Sequence, residues 1–210
     1  NCIYDLRAVK QENLGEGVET DFEYNAERFR KKYNINDPYI IYAGRKDSAK
    51  NINTLITYFD EFKKRNKTHK ALKLILIGGG SVDIPDSIKD DVIDLGFVDI
   101  QDKYDACAGA QLLCQPSKNE SFSIVIMESW LCERPVLVNK DCKVTTNFAK
   151  EANGGLFFKD YFEFEGGVNY ILDNPETAKQ MGLNGRKYVL DNFRWDIIIE
   201  KLLRFFEVEQ

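Results

Sequence analysis

The chain has 210 residues, 43% hydrophobic, 30% charged and 12% aromatic, the make-up of one globular domain with a filled core, which excludes disorder, a collagen-like repeat and a disulfide scaffold. With 29 Lys and Arg against 34 Asp and Glu the net charge is -5, so the chain as a whole has no attraction for nucleic acid or an anionic membrane, and any anion it binds needs a local site. Five scattered cysteines (Cys2, Cys107, Cys114, Cys132, Cys142) without a CxxC, and a lone His69 in a polar run, argue against a zinc site or a Ser-His triad and suit a reducing cytoplasm better than secretion.

No apolar stretch nears the roughly 20 residues that span a bilayer. The chain opens Asn1-Cys2-Ile3 without an initiating Met, which leads to the expectation that it is a piece of a longer protein. Residues 1–38 read as a charged lead-in with Gly15 and Gly17 in a loop, then a surface helix over Asn25 to Tyr33 that ends before Asp37-Pro38. From Tyr39 onward, short β-rich apolar runs alternate with helical spacing. The runs Tyr39–Ala43, Leu72–Ile77, Val92–Leu95, Gln111–Gln115, Pro135–Val138 and Gly155–Phe158 predict about six buried parallel strands. Between them, Ile52, Leu55, Ile56, Phe59 and Phe62 fall on one helical face, and shorter helices are predicted over Asp102–Ala108, Phe122–Leu131 and Tyr161–Leu172. Two or three helices close the chain, one from Pro175 to about Leu190 and another over Trp195–Phe206. The expected fold is α/β, a doubly wound Rossmann-like parallel sheet over residues 39–192, with 193–210 as a terminal helical segment.

In such a sheet, ligands bind beyond the carboxyl ends of the strands, so the loops leaving each strand carry the chemistry. After the first comes Gly44 with Arg45 and Lys50 beside a helix start. Two cations at the positive end of a helix repel unless an anion lies between them, and a phosphate-bearing ligand or a solvated charged turn would each account for the pair. After Leu74–Ile77 comes Gly78-Gly79-Gly80-Ser81, where backbone can approach a ligand closely or simply turn; it is neither GxGxxG nor a Walker loop. After Leu112–Gln115 the run Pro116-Ser117-Lys118-Asn119-Glu120-Ser121-Phe122-Ser123 opens an apolar helix that carries Glu128. Free amides at such an opening bind anions, and Ser121 or Ser123 is placed to cap it. Glu128, flanked by Met127, Trp130 and Leu131, is costly to bury unless it accepts hydrogen bonds, and sugar hydroxyls are donors of that kind. The polar stretch Asn139 to Asn147 reads as a loop without an assignable role, its lysines Lys140 and Lys143 lying on a solvated face.

Taken together, these residues resemble the C-terminal domain of retaining family 4 glycosyltransferases of the GT-B fold. Glu120-Ser121-Phe122-Ser123-Ile124-Val125-Ile126-Met127-Glu128 matches that family's E-x7-E motif. Gly44-Arg45 with Lys50, the Ile77–Gly80 loop, Gly96-Phe97-Val98, Arg134-Pro135-Val136 and the lead-in Gly15–Thr20 fall in the family's order. Two residues depart from its pattern: Glu133 and Asn51 stand where glycine is usual.

The resemblance implies one half of a GT-B enzyme that transfers a hexosyl group from a nucleoside diphosphate sugar with retention of configuration, in polysaccharide or glycoconjugate synthesis. It implies Arg45 and Lys50 on the diphosphate, with Gly79 nearby and amides of Ser121, Phe122, Ser123 and Ile124 on the distal phosphate. Glu128 is implied on the ribose and Glu120 on the donor sugar, with Glu120, Arg45 and Lys50 the catalytic set. No metal and no separate cofactor are implied, since the donor is itself the substrate. The acceptor, a glycan or lipid-linked sugar, would sit on an N-terminal domain onto which the last helix crosses back, so this chain alone would be inactive. The implied location is the cytoplasm, or the cytoplasmic face of a membrane for the full-length protein. A nucleotide-sugar epimerase of the same fold and a non-catalytic nucleotide-sugar module are the alternatives; His69, remote in sequence from these loops, speaks against the first.

Overall fold

The structure, a computed structural model, describes residues 15–207. Tyr39–Ala43 (β1) is buried at every position, which a strand attains only inside a sheet covered on both faces. Around it stand β2 (Lys73–Ile77), β3 (Val92–Gly96), β4 (Leu112–Gln115), β5 (Val136–Asn139) and β6 (Gly155–Phe158), all parallel, in the order β3-β2-β1-β4-β5-β6. The helices are α1 (Ala26–Tyr33), α2 (Ile52–Arg65), α3 (Ile100–Gly109), α4 (Ile124–Leu131), α5 (Lys143–Glu151), α6 (Tyr161–Asp173), α7 (Pro175–Asn192) and α8 (Trp195–Glu207). This is the expected doubly wound, Rossmann-like sheet. Its strand order reverses between β1 and β4, so a crevice opens beyond their carboxyl ends.

The alternation within β1 sorts the core into two layers. Tyr39, Ile41 and Ala43 pack with Phe29, Cys107, Trp130 and Val189 on one face. Ile40 and Tyr42 pack with Leu55, Phe59, Phe164 and Val168 on the other. α1 is held to α3 by charge as well as by its buried Phe29. Lys32 Nζ and Tyr33 Oη donate to the Asp102 carboxylate at 2.6 and 2.8 Å, and Asp105, fully buried, accepts from the Asn25 amide at 2.7 Å and from Arg28. α7 lies close on α4 because two of its residues lack side chains: a Cβ on Gly185 would stand 2.2 Å from the Trp130 indole, and one on Gly182 would stand 2.0 Å from the Glu133 carbonyl.

Three expectations are corrected. Lys143–Glu151 is a helix, α5, where the sequence reads as a polar loop. Its inward face is made by Thr145, Thr146 and Ala149, whose hydroxyls are satisfied locally by the Cys142 and Asn139 carbonyls, so no apolar periodicity announces it. The helix expected from Phe122 begins at Ile124, because Ser123 takes a left-handed backbone with φ 77°. Neither Ser121 nor Ser123 caps it by a side-chain hydrogen bond. Of the lead-in, residues 1–14 with Cys2 lie outside the described residues, as do 208–210. The described part of that segment is tied to the end of the chain by a parallel bridge between Val18 and Arg194, with the Val18 amide donating to the Phe193 carbonyl at 2.8 Å.

The helix-packing glycines give a paired prediction. Gly166 lies exposed on α6 with no atom within 4 Å of an added Cβ, so Gly166→Ala should raise stability by about 0.5–1 kcal/mol. Gly182→Ala should lower it by about 1–3 kcal/mol, because α7 must back away from a carbonyl. Urea unfolding of the two variants checks both signs.

Candidate functional site

The loops leaving β1, β2 and β3 are bound to one another. Lys46, 2% exposed, places its ammonium on Asp94 Oδ1 of β3 at 2.8 Å and also donates to the Gly78 carbonyl. Its own amide donates to the Gly79 carbonyl at 2.7 Å. Asp94 in turn accepts the Gly96 amide at 3.0 Å. Gly78 has φ +122°, and a Cβ there would meet the Gly44 carbonyl at 2.1 Å, so only glycine fits. The space a side chain on Gly79 would take is filled by the Phe97 ring, 2.6 Å from the built Cβ. The glycine run is thus used for contact between loops, which sequence reading left undecided. Nothing in the sequence singled out Lys46.

The two cations of the first loop each have a protein anion. Arg45 is exposed, with Nε 3.5 Å from Asp47 Oδ2. Lys50 reaches across to the loop after β4 and donates to both oxygens of Glu120, at 2.8 and 2.9 Å, the Glu120 side chain being only 9% exposed. Asn51 and Asn139 fasten that loop by donating to the Pro116 carbonyl at 3.0 and 3.1 Å. The structure therefore brings Lys50, Glu120 and Ser121 together with Asp141, Cys142 and Lys143 around one cavity of about 680 Å³. Arg45, Gly79, Phe122, Ser123, Ile124 and Glu128 are not on its wall. Phe122 is buried against Phe148 and Phe193, and Ser123 Oγ meets Gln115 Nε2 at 3.4 Å.

Glu128 is 6% exposed, and its Oε1 accepts from Lys103 Nζ of α3 at 2.6 Å. Burial pushes its carboxyl above the ordinary glutamate value, and the Lys103 ammonium pulls it back only in part. Among the described residues no other hydrogen bond reaches this carboxylate. The buried acid was legible from its neighbours; its partner, 25 residues away in the chain, was not. Both departures from the family pattern, Asn51 and Glu133, have left-handed backbones at φ 58° and 59°, the conformation glycine adopts without cost. Among the described residues no group of three or more His, Cys, Asp and Glu could hold a metal ion, and no helix is long and apolar enough to cross a membrane.

A Rossmann-like sheet with basic and acidic side chains at its switch point defines a class, and comparison with known proteins places the chain within it. The pattern of the family described as Glycosyl transferases group 1 matches residues 25–188, and the chain belongs to that family. Its relatives include an uncharacterised glycosyltransferase of Methanocaldococcus jannaschii, 26% identical over 192 residues, covering 86% of this chain and 48% of that protein. Another is the D-inositol 3-phosphate glycosyltransferase of Gordonia bronchialis, 25% identical over 185 residues, covering 80% of this chain and 40% of that protein. The chain thus spans about half the length of the curated relatives it matches. Among solved structures it is similar to sucrose-phosphate synthase from Thermosynechococcus elongatus (TM-score 0.73, 22% identity, 93% of this chain and 52% of that one). It is also similar to Anabaena Alr3699/HepE in complex with UDP-glucose (TM-score 0.72, 18% identity, 93% and 55%). These neighbours are GT-B glycosyltransferases, and the fold of this chain matches about half of each.

The raised carboxyl of Glu128 carries a pH consequence. A carboxyl whose folded pKa exceeds its unfolded one binds more protons when folded, so its contribution to stability is present at low pH and lost as pH rises through the ordinary glutamate range and above. Relative to Glu128→Gln, the unsubstituted chain should lose stability across that rise and then level off. Thermal unfolding of both proteins from acid to neutral pH tests the sign.

Proposed function

We propose that this chain is the nucleotide-sugar donor-binding half of a retaining, family 4 glycosyltransferase that moves a hexosyl group to a glycan or lipid-linked acceptor. The observation that carries it is the closed Lys50–Glu120 pair at the carboxyl edge of the sheet, which joins the proposed diphosphate cation to the proposed sugar carboxylate. When a diphosphate arrives, it competes with Glu120 for the Lys50 ammonium. The exchange leaves Lys50 on the phosphate oxygens and frees Glu120 to accept from sugar hydroxyls. Arg45, exposed and held only loosely by Asp47, swings onto the same diphosphate, and the amides from Ser121 to Ile124 receive the distal phosphate. Glu128, with one oxygen on Lys103, accepts from ribose hydroxyls through the other.

Charge offset by Arg45, Lys50 and the α4 opening lets the nucleoside diphosphate leave without a metal. Retention follows if the acceptor attacks from the face the nucleotide vacates. The acceptor belongs to the facing N-terminal domain of the full-length protein, in the cytoplasm or at its membrane face, and the isolated half transfers no sugar. The similar Anabaena protein holds UDP-glucose, which supports a sugar nucleotide as ligand. An epimerase reading is not favoured: His69 lies on Asp173 at 2.9 Å, at the end of α6.

The test is calorimetry of the chain with UDP, GDP and their hexose conjugates. Glu128→Gln should weaken diphosphate and sugar nucleotide alike, by the roughly 1.5–3 kcal/mol of a charge-assisted bond. Glu120→Gln should weaken only the sugar nucleotide, and should leave the plain diphosphate equal or tighter, because Lys50 loses its competitor. Equal losses for both ligands in both variants would contradict the assignment of the two ends.

A further inference from the structure

α3 and α4 meet through a charged pair at a place where apolar side chains would join them as well. The Lys103 ammonium donates to Glu128 Oε1, and both side chains are largely buried. Desolvating such a pair costs about as much as its attraction contributes, so holding the two helices together does not account for it. Lys103 Nζ also lies 5.3 Å over the Tyr104 ring, and that ring is stacked on Phe22 at 3.8 Å, which steadies the ammonium from a second side. The other titratable groups around Glu128 are Tyr104 and Cys107 of α3 and Cys132 at the end of α4, and burial keeps all three in their neutral forms. Arg186 of α7 serves the Leu131 carbonyl and Glu133 instead. Among the described residues, Lys103 is thus the cation that acts on this carboxylate.

Resting on the donor-site reading above, in which Glu128 meets the ribose, we propose that Lys103 is a positioning residue of the nucleotide site, which it serves by fixing the Glu128 carboxylate. Its ammonium offsets the charge that burial penalises, so the carboxylate remains an acceptor. By taking Oε1 it also sets the plane of the group, with Oε2 left for a ribose hydroxyl. Without that cation, a carboxyl in this apolar setting holds its proton to higher pH, and it then offers the ribose a neutral hydrogen bond in place of a charge-assisted one. Lys103 acts through Glu128 and makes no contact of its own with the nucleotide.

The probes are UDP and GDP, and the 2′,3′-dideoxy form of whichever binds, titrated into the unsubstituted chain, Lys103→Met, Lys103→Arg, Glu128→Gln and the double variant of Lys103→Met with Glu128→Gln. Thermal unfolding verifies that each variant is folded, and Lys103→Gln, which removes the charge but keeps a donor, stands in if the methionine variant is not. Near neutral pH, Lys103→Met should bind the diphosphate roughly tenfold more weakly. Lys103→Arg should recover most of that loss, and binding of the dideoxy ligand should change by less than about twofold. Relative to the unsubstituted chain, the deficit of Lys103→Met should shrink as pH rises from about 7 to 9, because more of the Glu128 carboxyl ionises. In the Glu128→Gln background the lysine substitution should cost no more than about twofold. A loss as large for the dideoxy ligand, or one that persists in full in the Glu128→Gln background, would overturn the proposal and leave the pair a helix contact only. So would unchanged diphosphate binding by the folded Lys103→Met variant. If neither UDP nor GDP binds the unsubstituted chain at millimolar concentration, it is the donor-domain reading itself that fails, a result distinct from any of these.

Discussion

Everything in this structure depends on burying β1 and β4 on both faces at once. Ile40, Ile41, Leu112 and Leu113 have no exposed surface, and a strand so placed needs helices above and below it, joined by crossovers that return each strand in parallel. Parallelism aligns all six carboxyl ends along one edge. The loops that leave that edge cannot be buried in the core, so they carry the polar side chains, and the reversal of order between β1 and β4 leaves room between two of them. The candidate site is thus where the packing solution leaves an opening.

Three lysine–carboxylate pairs then brace that edge: Lys46 with Asp94, Lys50 with Glu120, and Lys103 with Glu128. None is an exposed pair of the kind that contributes little, for each has at least one partner about nine-tenths buried or more. Desolvating such charges costs about as much as their attraction contributes, so they fix geometry more than they add stability. Lys46 ties three loops together and takes no part in the proposed ligand contacts. The other two pairs hold the glutamates in place.

How much of this was visible in the sequence follows from the range of each interaction. The four inner strands were legible because both-sided burial writes itself as a continuous apolar run, while the edge strands β3 and β6, expected to be buried, are only partly so; α2 was legible because Ile52, Leu55, Ile56, Phe59 and Phe62 all turn inward. α5 was hidden because its buried face is built from threonines. The start of α4 was misplaced because Ser123 adopts a left-handed conformation that no local pattern announces. Glu128 stood out as an acid among apolar neighbours and Glu120 through the E-x7-E spacing of the family resemblance, but Lys46 and Lys103 did not, since a lysine on a loop or helix looks solvated until a strand or helix far away in the chain supplies its carboxylate. The glycine run read equally as a ligand approach or a tight turn, and in the fold Gly78 and Gly79 lie against the Gly44 carbonyl and the Phe97 ring.

On the proposed function, the Lys50–Glu120 pair also decides how an acidic chain can hold an anion. With a net charge of -5, the long-range field repels a nucleoside diphosphate, and salt screens that repulsion over about 10 Å at 0.1 M. Inside that distance the local arrangement governs. A ligand that took Lys50 from Glu120 without offering the carboxylate new donors would leave a nearly buried charge unpaired, which is heavily destabilising. On the proposed reading a sugar nucleotide avoids this, because its phosphate satisfies the ammonium while its hydroxyls satisfy the carboxylate. Inorganic phosphate cannot do both. On that reading the pair discriminates between the two halves of the ligand separately and favours the molecule that carries both, a selectivity that comes from the geometry of one ion pair and needs no contact with the base.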